Sequence, residues 1–135
     1  MTTRGTLVVA TARATIGEAR YATRIHAGHH ALIADEHAVL GGHAGPAPFA
    51  LLLSALGSCT AITLKMYAER KQWPVEKIEV DLRYLKTGEA ARIERVLSLE
   101  GALTEAQRAR LADIAERTPV TLAIKGGVGI HTKLH

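Results

Sequence analysis

The sequence predicts a two-layer α+β domain, and three features carry that expectation. Strand-like stretches stand at both ends of the chain, a long uncharged apolar run over residues 44–64 continues as an amphipathic helix, and a second helix opens on the capping-box pair Thr104 and Gln107. The 135 residues, 47% hydrophobic and 22% charged, suit one domain spanning 1–135. A chain of that size buries roughly two-thirds of its unfolded surface.

Residues 7–15 and 21–26 favour strands, the second alternating through Tyr21, Thr23 and Ile25. Ala27-Gly28 reads as the turn into a third strand over 29–34. Asp35-Glu36-His37, Gly41-Gly42 and Gly45-Pro46-Ala47-Pro48 form a loop rich in breakers, and Pro48 suits a first helical turn. From Phe49 the period is helical, placing Leu52, Ala55, Leu56, Cys59, Ile62, Thr63 and Met66 on one face. Because Leu51, Leu52 and Leu53 are consecutive, the first half of this helix is apolar nearly all round. Such a helix needs cover on more than one side, which a single small sheet does not supply, so a homodimer is expected.

Past Trp73-Pro74, Ile78, Val80, Leu82 and Tyr84 alternate with charged residues. Gly88 marks a turn, and Ile93, Arg95, Leu97 and Leu99 continue as the second arm of a hairpin. The helix opened by Thr104 must stop near Thr118, since Pro119 follows. Gly126-Gly127 is read as a turn into a closing strand through Val128, Ile130, Thr132 and Leu134.

Composition excludes several functions. The net charge of +4 comes from scattered basic residues interleaved with acidic ones, and Tyr21, Phe49, Tyr67, Trp73 and Tyr84 are too few and dispersed to stack bases, so no nucleic-acid partner is expected. The uncharged run over 44–64 is diluted by prolines, serines and threonines, which favours a core helix and no membrane partner. Arg13 interrupts the N-terminus before a signal-peptide core can form, and a lone cysteine cannot make an internal disulfide; a reducing cytoplasm is the default expectation. Neither G-x-G-x-x-G nor a Walker loop is present, and no cofactor is expected.

Chemistry is therefore sought at Cys59, the only cysteine. A buried cysteine is most often a small core hydrophobe. Gly57-Ser58 changes the weighing, because a helix broken at Gly57 and restarted on Ser58 would put Cys59 in a first turn, where unpaired N–H groups favour a thiolate. His26, His29, His30, His37 and His43 lie near Asp35 and Glu36, but no HExxH or CxxC spacing accompanies them, and they read as solvated side chains with no metal. No serine has a recognisable base beside it.

Residues 45–74, GPAPFALLLSALGSCTAITLKMYAERKQWP, resemble the central motif of the OsmC/Ohr family, the osmotically inducible and organic hydroperoxide resistance proteins. Asp35-Glu36 with Gly41-Gly42, the 93–103 segment leading into Thr104, and Pro119-Val120 extend the resemblance over nearly the whole chain. It implies an intertwined α+β homodimer and thiol-dependent reduction of small organic hydroperoxides. Cys59 would be the nucleophile, supported by an arginine from the partner subunit's N-terminal strands, with Arg20 and Arg24 as the two candidates. Two positions depart from the pattern. Thr118 stands where a resolving cysteine is usual, and Ala50 stands where the peroxidase branch has a glutamate. An external thiol reductant would then have to recycle Cys59. The alternative is a non-catalytic dimer whose apolar pocket binds a small hydrophobic or thiol-reactive molecule.

Overall fold

A computed structural model describes residues 5–37 and 40–135. The leader reading falls partly on residues 1–4, and the breaker-rich loop partly on 38 and 39; these positions lie outside the described residues. The chain divides into two compact units, Met1–Leu51 and Leu52–His135.

In the first unit, β1 (Ala12–Thr15), β2 (Thr23–Ala27) and β3 (His30–Ala34) form an antiparallel sheet in that order. Thr15 pairs with Arg24, which pairs in turn with Ile33, and Gly28 makes the β2–β3 turn with a φ of 60°. The first strand is shorter than its composition suggests: residues 7–10 are apolar but exposed and outside the sheet. Asp35 organises the loop after β3. Its buried carboxylate accepts the N–H of Ala44 at 3.0 Å and of Glu36 at 2.7 Å, and these bonds hold it below its ordinary value.

Helix α1 (Pro48–Lys71) begins on the expected proline. In the second unit β4 (Val75–Thr87) and β5 (Ala90–Gly101) form a long hairpin turning at Gly88, φ 62°. Directly opposed residues share a face, so the pairs Ile78–Leu99, Val80–Leu97, Leu82–Arg95 and Tyr84–Ile93 form one row. Leu64 and Ala68 of α1 close a core with Val75, Leu111 and Ala115, and Tyr67, Trp73, Ile78, Leu97, Leu99 and Ile114 pack around it. By length and composition α1 could span a bilayer; it buries the row Leu56, Thr60, Leu64 and Ala68 and leaves its other residues half-buried or exposed.

Helix α2 (Glu105–Ala115) has the full capping box: the Thr104 hydroxyl accepts the Gln107 N–H at 3.1 Å, and the Gln107 side chain accepts the Thr104 N–H at 2.9 Å.

Three expectations are corrected. The helix does not break at Gly57: α1 is continuous, Ser58 donates its hydroxyl back to Ala55 O at 3.2 Å, and Gly57 instead lets β4 approach, since a Cβ there would meet Leu82 at 2.8 Å. The buried stripe of α1 is the Leu56–Thr60–Leu64–Ala68 row, while Leu52, Ile62 and Met66 remain exposed. A helix apolar nearly all round carries no dominant face, so packing against the hairpin decided. Finally, the chain after Thr118 forms α3 (Pro119–Gly126), a helix not expected there, and residues 127–135, where the closing strand was expected, form neither helix nor strand. Thr118 in an extended conformation followed by Pro119 is a helix start, because proline fits the first turn and threonine caps it.

Candidate thiol site

The correction at Thr118 matters most for Cys59. The first turn of a helix leaves its N–H groups without intrahelical partners, and α3 places each of its own. Pro119 has none; Leu122 donates to Thr118 O at 2.9 Å, and Thr121 donates to the Thr118 hydroxyl at 3.4 Å. The remaining donor, the Val120 N–H, points at Cys59 Sγ over 3.4 Å. Cys59 thus lies within a continuous α1 and not in the first turn of a restarted helix, and the helix N-terminus that meets its sulfur is that of α3. The sulfur meets an N–H donor at the positive end of a helix dipole. The thiol is half-buried, and Thr63 Oγ1 on the next turn of α1 lies 4.0 Å away.

Thr118, where the resemblance implies a second cysteine, is fully buried. Its hydroxyl is committed to α3: it caps Thr121 N–H and shares a 2.6 Å hydrogen bond with Thr121 Oγ1.

Sequence reasoning missed Arg95. Its side chain is only 12% exposed. One guanidinium nitrogen donates to Thr60 Oγ1 at 3.1 Å and Thr121 Oγ1 at 2.9 Å; the other donates to Ala115 O at 2.9 Å and Glu116 Oε2 at 3.3 Å. Thr60 follows Cys59, and Thr121 follows Val120. The Glu116 carboxyl is held below its usual range, first by its hydrogen bond from Lys125 and then by Arg95. A signal was available: Arg95 occupies the same phase as Ile93, Leu97 and Leu99, and a cation at an inward position of an alternating strand requires partners.

Arg20 and Arg24 belong to the first unit and are exposed there. The Arg20 guanidinium lies 5.3 Å from the centre of the Tyr21 ring, and Arg24 stands mid-sheet between Thr15 and Ile33. Of the histidines, the rings of His37 and His43 stack at 6.4 Å. Among the described residues, no three His, Cys, Asp or Glu side chains gather as metal ligands.

A second-unit cavity of about 500 Å³ lies beside Arg95, lined by Leu56, Tyr84, Ile93 and Ile124 on its apolar walls and by Lys125 and Glu116 at its polar edge.

A half-buried thiol on a core helix, met by the first turn of a later helix, sets the molecule in the class of small α+β proteins with a cysteine site. The chain belongs to the family of OsmC-like proteins, whose model matches residues 41–133. Solved structures agree in fold. An OsmC-like protein from Mycoplasma pneumoniae superposes with a TM-score of 0.76 at 17% identity, covering 87% of each chain. The organic hydroperoxide resistance protein OsmC of Legionella pneumophila gives 0.64 at 20% identity, and OhrB of Bacillus subtilis gives 0.62 at 21%; each match covers 90% of this chain and 93% of the other. At these identities the likeness establishes the fold. No curated protein sequence matches the chain.

Proposed function

We propose that this protein is a one-cysteine, thiol-dependent peroxidase that reduces organic hydroperoxides in oxidative-stress defence. The observation that carries the reading is the Val120 N–H directed at Cys59 Sγ from the start of α3. Family membership and the two hydroperoxide-resistance structures of the same fold support it.

The Cys59 thiolate attacks the distal oxygen of the hydroperoxide, a sulfur–oxygen bond forms, and the O–O bond breaks. The departing alkoxide takes a proton and leaves as an alcohol, and Cys59 is left as a sulfenic acid. With Thr118 unable to offer sulfur, an external thiol condenses with the sulfenic acid, releasing water and forming a mixed disulfide. A second thiol then reduces that disulfide and returns Cys59. Arg20 or Arg24 of the partner subunit orients the peroxide, as the family resemblance implies.

The working form is a homodimer of one domain over residues 1–135, in the cytoplasm and without a cofactor. Exposed apolar residues of α1 support the dimer: Ile62 is 54% and Met66 58% exposed. Cys59→Ser abolishes thiol-supported hydroperoxide consumption while the sedimenting mass stays at two chains. Equal consumption by the mutant and wild type refutes the peroxidase, and a one-chain mass at micromolar concentration refutes the dimer.

The cavity beside Arg95 favours a second reading, a non-catalytic dimer that binds a small hydrophobic or thiol-reactive molecule. On that reading Cys59 forms no sulfenic acid with hydroperoxide.

A further inference from the structure

We infer that Arg95 is the positioning residue of the thiol site, holding the first turn of α3 so that the Val120 N–H stays on Cys59 Sγ. The inference rests on reading Cys59 as the reactive thiol. Arg95 reaches three helices from β5. It bonds Thr60 on α1 next to Cys59, the last carbonyl of α2 at Ala115, the C-cap Glu116, and Thr121 in the first turn of α3 next to Val120. Each hydroxyl it binds is fixed from a second side: Thr60 donates to Leu56 O at 2.7 Å, and Thr121 Oγ1 lies 2.6 Å from Thr118 Oγ1 and 3.2 Å from Ala115 O. The network therefore ties the residue after the sulfur to the residue after the amide.

Stability alone does not account for a cation here. A largely buried charge bonded mostly to neutral groups recovers little net energy, and an apolar residue in phase with Ile93 and Leu97 would pack at least as well. What the guanidinium supplies is a planar fork with donors in fixed directions, suited to holding several elements in one register. Its fork also meets the last carbonyl of α2, where a cation is favourable. An eight-residue helix such as α3 has little stability of its own, so its placement depends on such ties.

The test is alkylation of the intact protein by iodoacetamide, read at Cys59, the sole cysteine. If Arg95 positions the amide, Arg95→Met slows alkylation about tenfold at neutral pH, the scale of one lost hydrogen bond to a charged group. The rates are compared at a temperature where circular dichroism shows both proteins fully folded. A role confined to stability would lower the melting temperature and leave the alkylation rate of the folded protein unchanged. Arg95→Lys, which keeps the charge and loses the fork, is slowed like the methionine variant. Wild-type rates in Arg95→Met at neutral pH, or full retention by Arg95→Lys, overturn the inference. Should Arg95→Met not fold, Thr60→Val with Thr121→Val removes the two hydroxyl partners at nearly constant shape, and wild-type rates in that double variant overturn it equally. Hydroperoxide consumption is followed in parallel. A wild-type chain that ignores hydroperoxide refutes the peroxidase, while slowed alkylation in Arg95→Met still upholds Arg95.

Discussion

The two units use the same residue types to opposite ends. In Met1–Leu51 the strand arginines are exposed, and among the described residues only Ala34 and Asp35 are buried. In Leu52–His135 an arginine in the same kind of position is drawn inward among threonines, beside a closed core of Leu64, Ala68, Val75, Leu111 and Ala115. The three short strands are mostly exposed and hold no core cluster among the described residues, whereas the long hairpin with its helices carries a core of its own. A strand arginine is thus a surface group or a structural fork according to what packs on its face.

The contrast can be broken at the core, at the cap and at the loop. Leu64→Ala removes a side chain with no exposure from the centre of the second unit, and costs about 2–5 kcal/mol in urea unfolding. A loss well under that range would mean that this cluster is not the seat of stability. Thr118→Ala strips the cap of α3 and costs about 1 kcal/mol; the same change releases Thr121 from its 2.6 Å contact. Cys59 alkylation slows with it if the first turn of α3 governs the sulfur, and an unchanged rate would separate cap from site.

The smallest effect belongs to the first unit. Hydrogen bonds from Ala44 and Glu36 hold the Asp35 carboxyl below its ordinary value of 3.8. The stabilisation is therefore complete above that value and is lost as the pH falls through the lower value of the folded protein. Acid unfolding followed by circular dichroism shows this limb in the wild type. Asp35→Asn flattens it, being less stable at neutral pH but less sensitive to acid; an unchanged acid limb would assign it to other carboxylates, of which Glu94, Asp113 and Glu116 are also depressed.

The strands and the first two helices were legible because each announces itself locally. Pro48 begins α1, Thr104 and Gln107 form the capping box, and Gly88 turns the hairpin. Cys59 was singled out as well, through the motif over 45–74. The surroundings of Cys59 were not legible, since they depend on tertiary contacts. Gly57 read as a break because glycine disfavours helix, yet here it clears space for Leu82. Helix α3 received no assignment, because the β-branched Val120, Thr121 and Ile124 weaken a helical pattern, and the alternation from Val128 to Leu134 read as a strand that residues 127–135 do not form. Thr118-Pro119 held the contrary signal, a cap followed by a first-turn proline. Arg95 was hidden by its own regularity, for it kept the strand's alternation while breaking its polarity.

The central claim is that Cys59 is the oxidisable thiol of this fold. Intact-mass spectrometry after one equivalent of cumene hydroperoxide, with and without a sulfenic-acid trap, tests it most directly. The account predicts a gain of one oxygen, about 16 Da, converted by the trap to an adduct at Cys59 and absent from Cys59→Ser. An unchanged mass for the wild-type protein, with no adduct, would contradict it.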